Sequence, residues 1–296
     1  MKDYIILTDS TSDLCKELRQ QYNIEYVPMN VVFDEKEHLA SLDWEEFSAS
    51  EFYDMMRDGK RVKTTQVPYH VYLEKFEQCA NLGLDVLYIS CSSALSGTVN
   101  IARTVKEEVL EKYPNVKINI VDSLISSLGQ GSLVIKESLL KQEGKTIDEV
   151  TQYLEENKLK TQQVATVGSL EYLRRAGRVK ATKAFFGNLF GVKPIIMSDA
   201  KGQNYAFKKI KGRRASLLYL VEYLKENIIN PEEQTIYISH ADTYEDALFV
   251  KEHIEKEVAC KEVFIDYICP IVGASVGPGT IIVFYQGEEV TIIGEE

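Results

Sequence analysis

The chain has 296 residues, a formal net charge of -11, 45% hydrophobic residues and 27% charged residues. This balance is typical of a globular protein long enough for two domains of ordinary size. The negative charge disfavours non-specific binding to nucleic acid, because that binding depends on cations that neutralise phosphates. No apolar run approaches the length of a membrane span, so we expect no stable membrane insertion.

The N-terminus leads directly into a predicted strand, without the apolar segment of a signal peptide. The five cysteines are scattered and form no Cys-x-x-Cys pair. Their spacing indicates reduced thiols rather than a zinc site. We therefore predict a cytoplasmic protein without a metal or a cofactor.

The first apolar strand covers residues 4–7 and is followed by a hydroxyl-rich segment, residues 8–13, and then by helical spacing. Ligands in α/β proteins bind at this end of a strand. Thr11 or Ser12 caps the helix or contributes to a binding site, and the two roles are compatible. Residues 25–33 are rich in β-formers and are predicted to be one strand.

Thr64 and Thr65 lie in a loop closed by Pro68, where a helix is predicted to begin and run to Leu82. Two hydroxyl groups in such a loop are able to hold an anion. The alternative is one more helix N-cap, and this loop alone favours that simpler interpretation.

The most informative stretch combines an apolar strand at residues 86–89, a Ser/Gly-rich loop and a helix from residue 99. Gly97 lets the backbone approach a ligand closely, and Ser96 and Thr98 can each donate a hydrogen bond. A loop of this kind directs N–H groups and hydroxyls at an anion. The alternative is that Ser96 or Thr98 simply caps the helix.

A further strand, residues 117–121, ends in Asp122 and Ser123 and is again followed by a helix. Three strands therefore end in hydroxyl-bearing turns, each leading into a helix. This repetition predicts an α/β fold with a doubly wound parallel sheet. A polar stretch near residues 155–163 suggests an N-terminal α/β domain at 1–160 and a C-terminal α/β domain at 161–296.

The second half is predicted to contain strands at residues 164–167, 192–197, 235–239, 263–267 and 280–285. A turn at residues 199–202 is predicted to lie between two strands, and we expect a mixed sheet in this half. Two side-chain groups are notable. Apolar residues line a pocket or belong to the core: Phe185, Phe186, Leu189 and Phe190. Basic residues form a solvated face or a docking site for a phosphorylated partner: Lys208, Lys209, Lys211, Arg213 and Arg214.

Ser275 lies in a Gly-x-Ser-x-Gly pattern, residues 273–277. A hydrolase nucleophile elbow needs a strand before the serine and a helix after it, whereas Pro278 and Gly279 follow here and a strand comes next. All four histidines also precede Ser275. A serine hydrolase is therefore disfavoured, although an acyl-processing enzyme with Ser275 as nucleophile stays as an alternative.

Seven motifs occur in an order that resembles the DegV family of bacterial fatty-acid-binding proteins from end to end. They are Thr-Asp-Ser-Thr-Ser-Asp-Leu at 8–14, Lys-Thr-Thr-Gln at 63–66, Ser-Ser-Ala-Leu-Ser-Gly-Thr at 92–98, Val-Asp-Ser at 121–123, Tyr-Leu-Arg-Arg-Ala-Gly-Arg at 172–178, Lys-Pro at 193–194 and Gly-Pro-Gly at 277–279.

The resemblance implies two α/β domains with a fatty acid carboxylate held between them and its acyl chain buried in the C-terminal domain. It further implies a non-catalytic carrier that presents the carboxylate to a dihydroxyacetone-kinase-like fatty acid kinase, whose acyl phosphate product enters phospholipid synthesis. The binding positions implied here are Thr64, Thr65, Ser96, Gly97, Arg178 and Ser275. The alternative ligand is another amphipathic anion.

Three positions depart from the family pattern. Ser275 stands where histidine is common, so the site keeps a hydrogen bond but loses a group that can carry charge. Ala176 replaces the usual second glycine before Arg178. Lys211 stands where an arginine is expected, and lysine lacks the bidentate geometry of the guanidinium.

Overall fold

Four strands of the first half form a parallel sheet in the computed structural model, which describes residues 2–182, 185 and 191–294. The strand order is β2-β1-β6-β7. The members are β1 (Tyr4–Asp9), β2 (Ile24–Val27), β6 (Asp85–Ser90) and β7 (Ile118–Asp122). Every residue of β6 is buried, as expected for a central strand with helices on both faces of the sheet.

Six helices belong to this half: α1 (Lys16–Gln21), α2 (Ala49–Arg57), α3 (Tyr69–Asn81), α4 (Thr98–Lys112), α5 (Ser127–Gln142) and α6 (Ile147–Asn157). The N-terminus of α2 is fixed by a capping box, in which Ser48 and Glu51 bond each other's backbone N–H groups.

The three capping interpretations made above are wrong. The N-caps of α1, α3 and α4 are Cys15, Pro68 and Gly97, and none of them is capped by a side chain.

A small antiparallel sheet was not predicted. Its order is β4-β3-β5, with β3 (Met29–Phe33), β4 (Lys36–Ala40) and β5 (Lys63–Thr64). The single strand predicted at residues 25–33 is thus two strands in different sheets. Pro28 separates them, because proline has no N–H to donate to a ladder and the chain leaves the parallel sheet after Val27.

The second half forms a six-stranded mixed sheet of order β10-β9-β8-β13-β11-β12. Only β11 and β12 are parallel neighbours. The strands are β8 (Thr161–Thr166), β9 (Val192–Ser198), β10 (Asn204–Lys211), β11 (Thr235–His240), β12 (Glu262–Tyr267) and β13 (Ile281–Gln286). The helices are α7 (Leu170–Ala176), α8 (Arg213–Asn227), α9 (Tyr244–Glu257) and α10 (Pro270–Val276).

The two faces of this second sheet belong to different cores. Val164 and Ile195 pack under α8 and α9, whereas their neighbours Ala165 and Ile196 join the core of the first half. This split follows from the two-residue period of a strand. The α/β fold with one parallel and one mixed sheet agrees with the prediction, while the division at residue 160 stays a prediction.

Hydrogen bonds hold the loop after β6 and helix α2 against the second half. Ser92 Oγ donates to Gly202 O at 2.9 Å, and Tyr53 Oη donates to Ile268 O at 2.7 Å. Among the described helices, none is both long and apolar enough to cross a bilayer.

Candidate functional site

A cavity of about 160 Å³ lies where the carboxyl ends of the first sheet meet one face of the second sheet. The loops after β1, β6 and β7 contribute Thr11, Cys91 and Ser126 to its wall. The second sheet contributes apolar residues from three strands: Ala165, Ile196 and Ile282. Polar loop residues therefore face apolar residues of the second sheet across one cavity.

Five of the six predicted binding residues border this cavity, although they come from distant parts of the chain: Thr64, Thr65, Ser96, Arg178 and Ser275. The sixth, Gly97, is not part of the wall. A Cβ atom added to Gly97 would lie 2.5 Å from Gln66 Nε2, so this glycine makes room for the Gln66 side chain, which does border the cavity. The binding role of all six stays a prediction.

The two threonines differ in how much of their hydroxyl is already used. Strand pairing with Val31 fixes the backbone of Thr64, and the Thr64 hydroxyl has no hydrogen bond among the described residues. Thr65 Oγ1 instead accepts from the Asn30 N–H at 3.3 Å and lies 3.2 Å from Gln66 O. Thr64 is therefore the better placed of the two to bond a ligand.

Two hydrogen bonds hold the loop that carries Ser96 in place. Asp122 Oδ1 accepts from the Ser93 N–H at 3.0 Å, and Ser96 N donates to Ser92 O at 3.0 Å. The Ser96 hydroxyl accepts from the Thr98 N–H at 3.3 Å, which leaves its own O–H to donate. The first turn of α4 has no side-chain cap, so this loop offers donors to an anion.

Arg178 is positioned by the end of α7. Gly177 adopts a left-handed conformation with φ +67°, which ends the helix and turns the chain. Ala176 lies inside the helix, so the missing second glycine creates no strain. The guanidinium Nε donates to Leu95 O at 2.9 Å, and Nη1 donates to Ala176 O.

The Arg178 charge has no carboxylate partner in the part of the chain that the structure describes, and its Nη2 group has no hydrogen bond there. Burial raises the pKa of the Cys91 thiol, while the Arg178 charge acts on that pKa in the opposite direction. The positive charge of Arg178 therefore influences a group in the cavity wall, the Cys91 thiol. An exposed cation beside hydroxyl donors suits an incoming carboxylate.

Ser275 lies inside α10, a helix that was not predicted from the sequence. The helix begins at Pro270, and Cys269 caps it by accepting from the Val272 N–H. Ile271, Val272 and Val276 of this helix also border the cavity. Within the described residues the Ser275 hydroxyl bonds neither a histidine nor a carboxylate, and so it lacks the base that a nucleophilic serine needs.

Sequence reasoning missed several polar residues of the wall, and two of them lie on strands of the second sheet. Gln163 on β8 and Asn204 on β10 are buried and face the cavity. Their strands carry no motif, so no local signal marked them. Thr11 also borders the cavity, but its hydroxyl already bonds Asp9 and Gln130 and it is mainly part of the loop framework.

Two other predictions concern an apolar group and a basic group of residues. Phe186, Leu189 and Phe190 lie outside the described residues, and Phe185 packs partly buried against the main core. The basic group at the end of β10 and the start of α8 does not border the cavity. Lys208 lies over the Tyr219 ring, and Arg213 pairs with Asp246 at 2.8 Å. Docking of a phosphorylated partner there stays a prediction.

A family model described as an uncharacterised protein of the DegV family matches residues 4–288. The chain belongs to the DegV family. A DegV domain-containing protein of Clostridium perfringens is 40% identical over 288 residues, which cover 97% of this chain and 99% of that protein. The resemblance given by the seven motifs is therefore confirmed.

Solved DegV structures share the fold. DegV of Bacillus subtilis, described as a fatty acid binding protein, is 27% identical with a TM-score of 0.82 and covers 97% of this chain and 100% of its own. A stearic acid-binding protein of Eubacterium ventriosum is 26% identical, also with a TM-score of 0.82, and covers 96% of this chain and 98% of its own.

Proposed function

We propose that this DegV protein binds a long-chain fatty acid, with the carboxylate between the two halves of the chain and the acyl chain buried against the second sheet. One observation carries this proposal. One cavity joins the Arg178 cation, which has no carboxylate partner among the described residues, and the hydroxyls of Thr64 and Ser96 to an apolar sheet face. The fatty acids named for the Bacillus and Eubacterium relatives support it.

The cavity wall can stabilise both the carboxylate and the acyl chain of such a ligand. A buried carboxylate needs charge-assisted hydrogen bonds to offset its lost hydration, and Arg178 with two hydroxyls offers them. Each buried methylene contributes roughly 0.8 kcal/mol, so the acyl chain provides most of the affinity.

We further propose that the protein is a non-catalytic carrier. Thr64 and Arg178 are exposed, so a carboxylate held there would be reached from the surface. A dihydroxyacetone-kinase-like fatty acid kinase would then phosphorylate it with ATP. We propose the cytoplasm as its location, since the five free cysteines fit a reducing compartment.

Native mass spectrometry before and after organic extraction tests the binding. We expect a copurified fatty acid that extraction removes and that added fatty acid restores. A different lipid would favour the second candidate, a carrier of another amphipathic anion. Absence of any acyl species from several preparations, together with no uptake of added fatty acid, contradicts the proposal.

The carrier role has a separate test. The loaded protein is mixed with a purified kinase of this class and ATP, and acyl phosphate is trapped with hydroxylamine. Product that requires both proteins supports presentation. Conversion of an acyl substrate by this protein alone, abolished by Ser275→Ala, would instead support the acyl-processing enzyme.

A further inference from the structure

Two amide side chains interrupt the apolar floor of the cavity. Ile282, Ala165 and Ile196 are cross-strand neighbours and form an apolar row. Two residues further along β8 and β9, about 7 Å away, the same face carries Gln163 and Ser198, and Ser198 pairs with Asn204 of β10. We call Gln163, Ser198 and Asn204 the polar row.

The hydrogen bonds inside the polar row leave two groups unused. Gln163 Nε2 donates to Asn204 Oδ1 at 2.9 Å, and Ser198 Oγ donates to the same oxygen at 3.2 Å. Because two donors converge on Oδ1, the Asn204 amide has one favoured orientation. Asn204 Nδ2 and Gln163 Oε1 then have no hydrogen-bond partner among the residues that the structure describes.

These two atoms face open space although their residues are buried. Gln163 is 6% exposed and Asn204 is 8% exposed, and both border the cavity. Both atoms therefore keep some accessible surface, and neither is fully enclosed by protein. Nδ2 offers N–H donors, and Oε1 offers an acceptor.

A plain methylene chain lying on the polar row would remove water from these groups and replace none of their hydrogen bonds, which is unfavourable. A hydroxyl group has one acceptor oxygen and one O–H donor, and so it complements Nδ2 and Oε1 together. A keto oxygen would satisfy only the donor.

We propose that Gln163 and Asn204 select acyl chains that carry a hydroxyl group along the chain. This inference rests on the proposed fatty-acid binding, and it adds the chemical class of the acyl chain. The sheet register sets where along the ligand the hydroxyl must lie.

The test is calorimetric titration of the delipidated full-length protein with stearic acid and with a panel of monohydroxystearic acids that differ in hydroxyl position. We expect at least one positional isomer to bind about tenfold more tightly than stearic acid. Asn204→Leu and, separately, Gln163→Leu should abolish that preference. Ile196→Val, a change in the adjacent apolar row, should alter the affinities for both acids together and keep their ratio.

Three results would overturn the inference. Equal affinities for stearic acid and every isomer would mean that water fills the polar row. An equal loss for both ligands in Asn204→Leu would place the amides at the carboxylate instead. If the unmodified protein binds no fatty acid at all, the proposed function fails as well. The first two results leave fatty-acid binding intact, so the two kinds of failure can be distinguished.

Discussion

The carboxyl group of Asp13 accepts a hydrogen bond at 2.9 Å from the backbone N–H of Cys269, 256 residues further along the chain. Asp13 follows the first strand, and Cys269 is the N-cap of α10. The Ser127 hydroxyl donates to the second oxygen of the same carboxyl. This buried group therefore fixes the helix that carries Ser275 against the loops of the first half.

Asp13 should make stability depend on pH. Burial raises the pKa of Asp13 to about 6 from 3.8, so its contribution is complete below about pH 3.8 and is lost as the pH rises to about 6. Asp13→Asn removes this titration. The free energy of unfolding of the variant relative to the parent should rise by about 2 kcal/mol between pH 4 and pH 7. Urea unfolding across this range measures it, and a difference that does not change with pH contradicts the expectation.

Glu137 on α5 should destabilise the fold at neutral pH. Both of its carboxyl oxygens are enclosed without a hydrogen-bond partner in the described parts of the chain. Burial raises its pKa well above 4.5, so stability falls by about 1.4 kcal/mol per pH unit above that value until the folded-state pKa is passed.

Glu137→Gln cannot ionise and should therefore be more stable relative to the parent at pH 7.5 than at pH 4.5. Urea unfolding at the two pH values gives this comparison. Glu143→Gln, at the exposed end of the same helix, is the control and should show no such gain. An equal response of the two variants would show that burial is not the cause.

Arg178→Ala should weaken fatty-acid binding by about 1.5–3 kcal/mol, since it removes a charge-assisted hydrogen bond to the carboxylate. The thermal midpoint should change little, because the exposed guanidinium bonds only two backbone carbonyls. Arg174→Ala, in α7 just before Arg178, is the matched control, because its guanidinium pairs with Glu171. An isotherm for Arg178→Ala that matches this control would mean that the carboxylate lies elsewhere.

Ser275→His should give ligand affinity a new pH dependence. Serine does not titrate near neutral pH, whereas histidine changes charge between about pH 5 and 8. A neighbouring carboxylate stabilises the charged ring and raises its pKa. Affinity should then rise toward low pH until the ligand itself protonates, while the parent protein shows a nearly flat profile. Identical profiles for the two proteins would reduce Ser275 to a structural residue of α10.

Local sequence patterns determined much of this protein. Alternating strands and helices, and hydroxyls at the strand ends, predicted the parallel sheet and drew attention to Thr64 and Ser96, whereas the family resemblance supplied Arg178. The capping interpretations failed because the N-caps of these helices are Cys15, Pro68 and Gly97, none of which provides a side-chain cap. The short helix α10 was missed because its seven residues include Gly273 and run directly into Gly277, a pattern typical of a loop.

Only the tertiary structure decided which polar groups meet at the cavity. Gln163 and Asn204 look like ordinary strand residues, and they become neighbours because β8, β9 and β10 pair in one particular register. Asp13 and Cys269 likewise meet across 256 residues. The sequence sets residue types and local conformational preferences, whereas contacts between distant strands and loops depend on how two sheets pack. A buried hydrogen bond between such segments has no local signal.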